Sequence, residues 1–497
     1  MPSAGKSQEL LFEGAEWSFD AISRVHDAID GIARRDLGLD IFPNQIEIIS
    51  AEQMLDAYSS IGMPLMYRHW SFGKHFIQHE RAYRRGARGL AYEIVINSSP
   101  CISYCLEDNT MALQALVIAH AGFGHNHFFK TNQLFREWTE PEGILDQLEY
   151  ARDFVRRCEE QHGRTEVERL LDAAHALMPS SVFRSRRPPP PTRRQTETRA
   201  IDHQLQIERE AHYLWDRLSV ATRRGDEEEL NARKRAMHLP EENLLYFVER
   251  HSPILEPWQR EILRIVRSLG QYFYPQKQTQ IMNEGCATFV HYHIMRELHA
   301  GGRIDDGAML EILHNHTEVI RQPGFDEPGF GGLNPYALGF AMMQDIRRIC
   351  AQPTEEDREW FPAFAGCGDW RGVLKDAWAN YRDESFILQF LSPEVIRRFR
   401  LFVLEDKAEV PFYTVSAIHE ERGYRSVREA LARSRDISLL EPDIQIVDVD
   451  LRGDRVLHLR HFPQNGIPLH QEDVEAVLGC IRRLWGHPVE LAVSPSA

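Results

Sequence analysis

The 497-residue chain contains no run approaching eighteen consecutive apolar residues, so no membrane-spanning helix is expected. It has only seven cysteines, an odd number scattered along the chain, and no Cys-x-x-Cys pair. That excludes a disulfide framework and fits free thiols in a reducing cytoplasm. Positive charge is in deficit. A formal net charge of -16 argues against a general nucleic-acid binder and against a protein of anionic membrane surfaces. The opening MPSAGKSQELLFEGAEWSFD lacks a basic start followed by an apolar core, so no secretory signal is expected and the expected location is cytoplasmic. The glycines of GFGG (329–332) are not followed by Gly-Lys-Ser/Thr, so they form no phosphate loop, and no Gly-x-Ser-x-Gly nucleophile elbow occurs.

What is present is an ordinary globular balance, 43% hydrophobic and 27% charged, in a chain long enough for two to four domains. Residues 1–183 read as mostly helical with one clear strand, LAYEIVIN (Leu90 to Asn97), rich in β-branched residues and stopped by SSP. Asp108, Asn109 and Thr110 then offer caps for an apolar helix, MALQALVIAHA. Residues 184–200 hold four prolines and six arginines and read as an exposed linker or loop. The helical pattern resumes over 201–402, interrupted by PGFDEPGFGGLNPY, which must be loop. From 403 the character changes. PFYTVSAI, the hairpin DIQIVDVD–LRGD–RVLHLRHF, a helix from Glu472 to Trp485 and the strand PVELAV make a small α+β module over 403–497. The expected class is α+β, a mainly helical core with a small sheet.

The stretch VIAHAGFGHNHFFK (Val117 to Lys130) places His120, His125 and His127 where a core helix meets two glycines. In an unbroken α-helix His120 and His127 would share a face but stand roughly 10.5 Å apart along the axis, too far for one ion with metal–nitrogen bonds of about 2 Å. Gly122 and Gly124 each make such a helix costlier by roughly 1 kcal/mol relative to alanine. The expectation is therefore a helix that ends or kinks at the glycines and so brings two histidines together. Ala121 follows the first histidine and the next comes five residues later, so the His-Glu-x-x-His signature of zinc proteases is absent.

A second stretch, MNEGCATFVHYH (Met282 to His293), puts Glu284 and His291 on one face of an apolar helix, two turns apart. Its Asn-Glu-Gly-x-Ala string is similar to the helix that supplies the third, glutamate ligand in one large class of zinc peptidases. The order strand, histidine helix, glutamate helix agrees with that class, so a zincin-like arrangement is expected. Weaker candidates are His75 and His79 with Glu80 in KHFIQHE, the one-turn pair Asp172 and His175, and His314 with His316.

Several strings together resemble the stage V sporulation protein R family, SpoVR: WSFGKHF, YEIVINSSP, HAGFGHNHFFK, MNEGCATF, LNPYALGF and RDESFILQFLSP. They span most of the chain. One departure is Cys286, which stands where the family string has tryptophan and which removes a large packing surface beside Glu284. The resemblance implies a cytoplasmic protein of a sporulation, spore-cortex or stationary-phase stress module. It also implies action beside a PrkA-like serine protein kinase and a von Willebrand-type partner protein, as scaffold or regulator. The zinc-peptidase likeness implies a different role, a metal-dependent hydrolase acting on an amide or peptide bond. There His120, His125 and Glu284 would hold Zn²⁺ or another divalent metal, with His127 or His291 as alternates, and Glu80, Glu93 or His291 would move the proton.

Overall fold

The structure, a computed structural model, describes residues 9–59, 93–183, 239–327, 330–405, 411–451, 453–463 and 469–494, with positions 63, 66, 67, 69 and 237. The Arg/Pro-rich segment 184–200 and the KHFIQHE stretch with Glu80 lie outside the described residues. The chain divides into two units, Met1–Arg169 with Gln271–Leu440, and Leu170–Gly270 with Glu441–Ala497.

In the first unit three short strands form a sheet of order β1-β3-β2. β1 (Asn44–Ile49) runs parallel to β3 (Cys101–Leu106), and β2 (Glu93–Ile96) runs antiparallel to it. The expected strand at 90–97 is present as β2, and β1 and β3 are additions to it. As the central strand, β3 is covered on both faces, which is why CISYCL shows no alternation of buried and exposed positions and buries Ser103 with its apolar neighbours. In β2 the two-residue period puts Glu93 and Val95 on the face opposite Ile94 and Ile96.

Thr110 starts the next helix, its hydroxyl oxygen accepting the Leu113 N–H at 3.2 Å. This histidine helix runs as an α-helical stretch Met111–Val117, a π-helical stretch Ile118–His125 and a further α-helical turn and a half, Asn126–Thr131. The helix Gln280–Ala300, which carries Glu284, is buried on nearly every face. It lies between the histidine helix and the helix Pro335–Ala351, and glycines let all three approach. A Cβ on Gly124 would overlap the Ala287 backbone, and one on Gly285 would sit 2.6 Å from Gly339 carbons. The N-terminus of the glutamate helix has no cap from its own Thr279. The Asp383 carboxylate supplies it instead, accepting the Ile281 and Met282 N–H groups at 2.9 Å each. The apolar core of this unit extends from Leu11 to Ala432.

The module expected over 403–497 starts later. β4 (Val403–Glu405) and β5 (Thr414–Ala417) pair with each other and belong to the first unit, where the helix Tyr424–Arg433 follows them. The change of composition at 403 marks the start of strand character, not a boundary. Nor is 201–402 one body, because residues up to Gly270 join the second unit.

In that second unit β6 (Asp443–Val449) and β7 (Leu457–Phe462) form the expected hairpin, and β8 (Val489–Val493) adds parallel to β7. The helix Gln471–Trp485 ends on Gly486 at φ 79°, the left-handed conformation that glycine adopts without a Cβ penalty. Among the described residues no helix is long and apolar enough to cross a membrane.

Candidate metal centre

The histidine helix does not break at its glycines. Its hydrogen bonding shifts by one residue, so that the Asn126 N–H reaches the Ala121 carbonyl. In an α-helix residues five apart lie roughly 140° apart around the axis. A π-helical turn is wider, its hydrogen bonds spanning five residues, and it turns residues five apart toward one side. The five-residue spacing of His120 and His125 thus becomes a shared face. Gly122 and Gly124 serve close approach instead. A Cβ on Gly122 would stand 3.2 Å from the Asn44 amide, and Gly124 admits the glutamate helix.

The two imidazoles meet edge to face, with Nε2 to Nε2 at 3.1 Å. Glu284 Oε2 lies 3.5 Å from His125 Nε2. One ligand atom from each of His120, His125 and Glu284 falls within 4.8 Å of the others. Ligands about 2.05 Å from a tetrahedral ion stand about 3.3 Å apart, close to the 3.1 Å between the two imidazoles and the 3.5 Å between His125 and Glu284. Glu284 Oε2 is buried and has no hydrogen-bond partner among the described residues.

The far sides of both rings are held. His125 Nδ1 stands 2.9 Å from the Asn283 side-chain oxygen, which accepts only. The ring proton must therefore sit on Nδ1, leaving the Nε2 lone pair turned toward the group. His120 Nδ1 meets His291 Nδ1 at 2.9 Å, and His291 Nε2 meets His316 Nδ1 at 2.9 Å, so three imidazoles form a chain behind the group. Tyr336 stacks near His120, at 6.2 Å between ring centroids, and its hydroxyl donates to the Glu284 carboxylate. Glu93 comes from β2, its Oε1 3.6 Å from His120 Nε2.

Burial sets the charge states. It pushes the Glu93 carboxyl up to about 8, with repulsion from Glu284 second, and raises Glu284 against the opposing effects of His125 and Tyr336. It drives His120 and His291 well below the ordinary imidazole value, with neighbouring imidazoles adding to the shift, and takes His316 to about 4. Burial thus disfavours the charged forms of His120, His291 and His316 and of both carboxyls, and a dication among these groups would stabilise both carboxylates. The donor set of two imidazoles and one carboxylate suits Zn²⁺ or a similar divalent ion.

His127 is not in the group. Its Nδ1 is held at Asp40, 3.0 Å from the amide nitrogen and 2.9 Å from the carbonyl, and its ring meets Trp378 edge on. Two residues past His125 it points to the other side of the helix. His291 sits behind His120 instead of facing the ligands. Cys286 Sγ is buried 3.9 Å from the Gly124 carbonyl at the helix crossing, and burial raises its thiol well above the ordinary value. The small side chain there accompanies the close approach at Gly124. His314 is exposed, and Asp172 and His175 fall in the second unit. Asn283 and Tyr336 carry roles that spacing did not reveal. Their only signal was membership in the strings MNEGCATF and LNPYALGF.

Comparison with known proteins is consistent across the whole length. A family model described as SpoVR like protein matches residues 16–440, and one described as SpoVR-like C-terminal domain matches residues 442–494. The start of the second match falls beside the unit boundary at Glu441. The Escherichia coli (strain K12) relative "Uncharacterized protein YcgB" is 51% identical over 489 residues, which cover 98% of this chain and 95% of that protein. No solved structure matches.

Proposed function

The chain belongs to the SpoVR family, and from its site geometry we propose that it is a metal-dependent, zincin-like hydrolase of an amide or peptide bond. The observation that carries this is Glu284 Oε2, buried without a hydrogen bond, 3.5 Å from His125 Nε2 and in a group of three whose ligand atoms lie within 4.8 Å of one another. His120, His125 and Glu284 would hold the ion. A bound divalent metal supplies a water acidic enough to act near neutral pH and polarises a carbonyl. The protein's own groups do the rest. Asn283 and His291 fix the two ring orientations. Glu93, beside His120 but outside the ligand triad, takes and returns the proton, replacing the glutamate that other zinc peptidases carry next to their first histidine. Tyr336 steadies Glu284 through its hydroxyl.

The test is metal analysis by ICP-MS of wild type, His120→Ala, Glu284→Ala and Glu93→Gln, each checked for folding by circular dichroism. About one metal ion per chain is expected in wild type and Glu93→Gln, with loss in the two ligand variants. Absence of metal from folded wild type after reconstitution with each divalent ion would refute the reading.

The family resemblance supports a second role, as a cytoplasmic partner of a PrkA-like serine protein kinase and a von Willebrand-type protein in a sporulation or stationary-phase stress module. An acidic chain with a separate C-terminal domain suits such a role. The variants separate the two. Kinase capture that survives Glu284→Ala while metal is lost assigns partnership to other surfaces, and capture that follows the metal ties both to one site.

A further inference from the structure

The helix Pro335–Ala351, whose first turn carries Tyr336, ends against a turn from the segment that follows it. The last carbonyls of a helix have no partners within it. Two of them take their donors from this turn. The Gly366 N–H reaches the Ile349 carbonyl and the Gly368 N–H reaches the Cys350 carbonyl, at 2.9 Å each. Both glycines stand at φ 75°, a backbone conformation that glycine adopts without a Cβ penalty. Cys367 lies between them, its own N–H held by the Phe364 carbonyl at 3.1 Å. The backbone thus fixes Cys367 against the end of the helix at Cys350. There the two side chains meet, the Cys350 thiol donating a hydrogen bond to the Cys367 sulfur.

The pair is asymmetric. Cys350 is only 1% exposed, whereas Cys367 is open to solvent. Burial pushes the Cys350 thiol up to about 12, with the hydrogen bond to Cys367 adding to the shift, so this sulfur keeps its proton. An oxidant therefore meets Cys367 first. A sulfenic acid with no thiol beside it passes on to sulfinic and sulfonic acids, whereas one in contact with a thiol condenses to a disulfide.

We infer that Cys350 and Cys367 are a reversible oxidation site, closing to a disulfide under a hydroperoxide. The Cys367 thiolate, its proton released to solvent, attacks one oxygen of hydrogen peroxide. The O–O bond breaks, hydroxide leaves and takes up a solvent proton as water, and Cys367 becomes a sulfenic acid. The Cys350 sulfur then attacks the Cys367 sulfur. The S–O bond breaks, and the departing hydroxide takes the Cys350 proton as a second water. Two thiols lose two electrons, and one peroxide is reduced to two waters. A dithiol reductant reverses the change by thiol–disulfide exchange. The sulfurs must close to about 2.05 Å, a movement left to the exposed Cys367 side chain. The bond ties the last turn of the helix that carries Tyr336 to the turn before the helix Trp370–Asn380, and it stands independently of the metal reading.

The test treats the folded full chain with a small excess of hydrogen peroxide, denatures it in N-ethylmaleimide, and reads the tryptic peptides by mass spectrometry. Cleavage at Arg358 puts the two cysteines on separate peptides, Ile349–Arg358 and Glu359–Arg371. The expected product is these two peptides linked, two hydrogens lighter than their sum, and separated again by dithiothreitol. The remaining cysteines should carry the maleimide. Cys350→Ser should strand the sulfenic acid at Cys367, where dimedone traps it, and Cys367→Ser should leave Cys350 unoxidised at the same dose. Cys367 is exposed, so its variant keeps the test open if Cys350→Ser fails to fold. The inference is overturned if wild-type Cys367 passes to sulfinic acid or links to a second chain while Cys350 takes the maleimide. It is equally overturned if neither cysteine reacts, or if Cys350 is oxidised as readily in Cys367→Ser.

Discussion

The chemistry of the site rests on which nitrogen of each imidazole is free. Asn283 decides this for His125, because an amide oxygen can only accept and therefore fixes the proton on Nδ1. Partners of this kind are worth roughly 10- to 100-fold in metal affinity. Asn283→Ala is accordingly expected to fold and to bind metal with an affinity lower by about that factor, read by competition with a chromogenic chelator. Unchanged affinity would mean that His125 is oriented by packing on Phe129, 5.9 Å away between ring centroids, and not by the amide. At this scale the sequence was partly legible. His120, His125 and Glu284 stood out because imidazoles and a carboxylate are rare on apolar helix faces. His127 stood out for the same reason and serves the Asp40 backbone instead. Residue type alone does not say which side of a helix a ring leaves, and that depends on the local pitch.

Pitch and capping belong to the elements. Spacing counted at 3.6 residues per turn separates His120 from His125, and the observed π-helical stretch reverses that result without any change of residue. Glycines in a helix register in sequence as weakness, whereas Gly124, Gly285 and Gly339 are the contact points that place Glu284 beside the histidine helix. Asp383 holds the start of the glutamate helix, and burial pushes its carboxyl up to about 7 although the Ile281, Met282 and Gln280 amides and the charge of Arg435 oppose the shift. A carboxyl with a raised folded pKa favours the protonated native state. Its contribution to stability is complete below the unfolded value of about 3.9 and is lost as pH rises through about 7. About three units at roughly 1.4 kcal/mol each set an upper limit of about 4 kcal/mol. Between pH about 5 and about 8, urea denaturation should therefore show wild type losing more stability than Asp383→Asn, whose amide oxygen still accepts an N–H and does not titrate. Parallel losses in the two proteins would mean that the amide bonds hold the carboxylate ionised throughout.

For the whole molecule, local signals were easier to read than the way segments combine. The hairpin around LRGD, the Thr110 cap and the helix ending at Trp485 were all readable, because turn residues, caps and short-range periodicity act over a few positions. The pairing of residues 170–270 with 441–497 was not, since it joins segments far apart in the chain and leaves no local mark. Its physical basis is a set of contacts within the second unit. The Ser252 hydroxyl donates to the Leu484 carbonyl at 2.7 Å, Phe247 lies 6.1 Å from Trp485 between ring centroids, and Glu241 bridges Ile446. A chain ended at Leu440 removes every one of these partners from the helix Leu244–His251 and its neighbours, while all three candidate metal ligands remain. Buried Leu245, Phe247 and Val248 would lose part of their cover, at roughly 25 cal/mol per Å² of apolar surface exposed. Limited proteolysis with mass mapping is expected to place early cuts within 239–270 in the truncated chain and not in the full one, with metal content per chain unchanged. If 239–270 resists protease equally in both, those contacts contribute little and the segment is stabilised without the C-terminal strands. If metal is lost along with the C-terminal segment, the ligand triad depends on residues beyond Leu440, and the site cannot be assigned to the first unit alone.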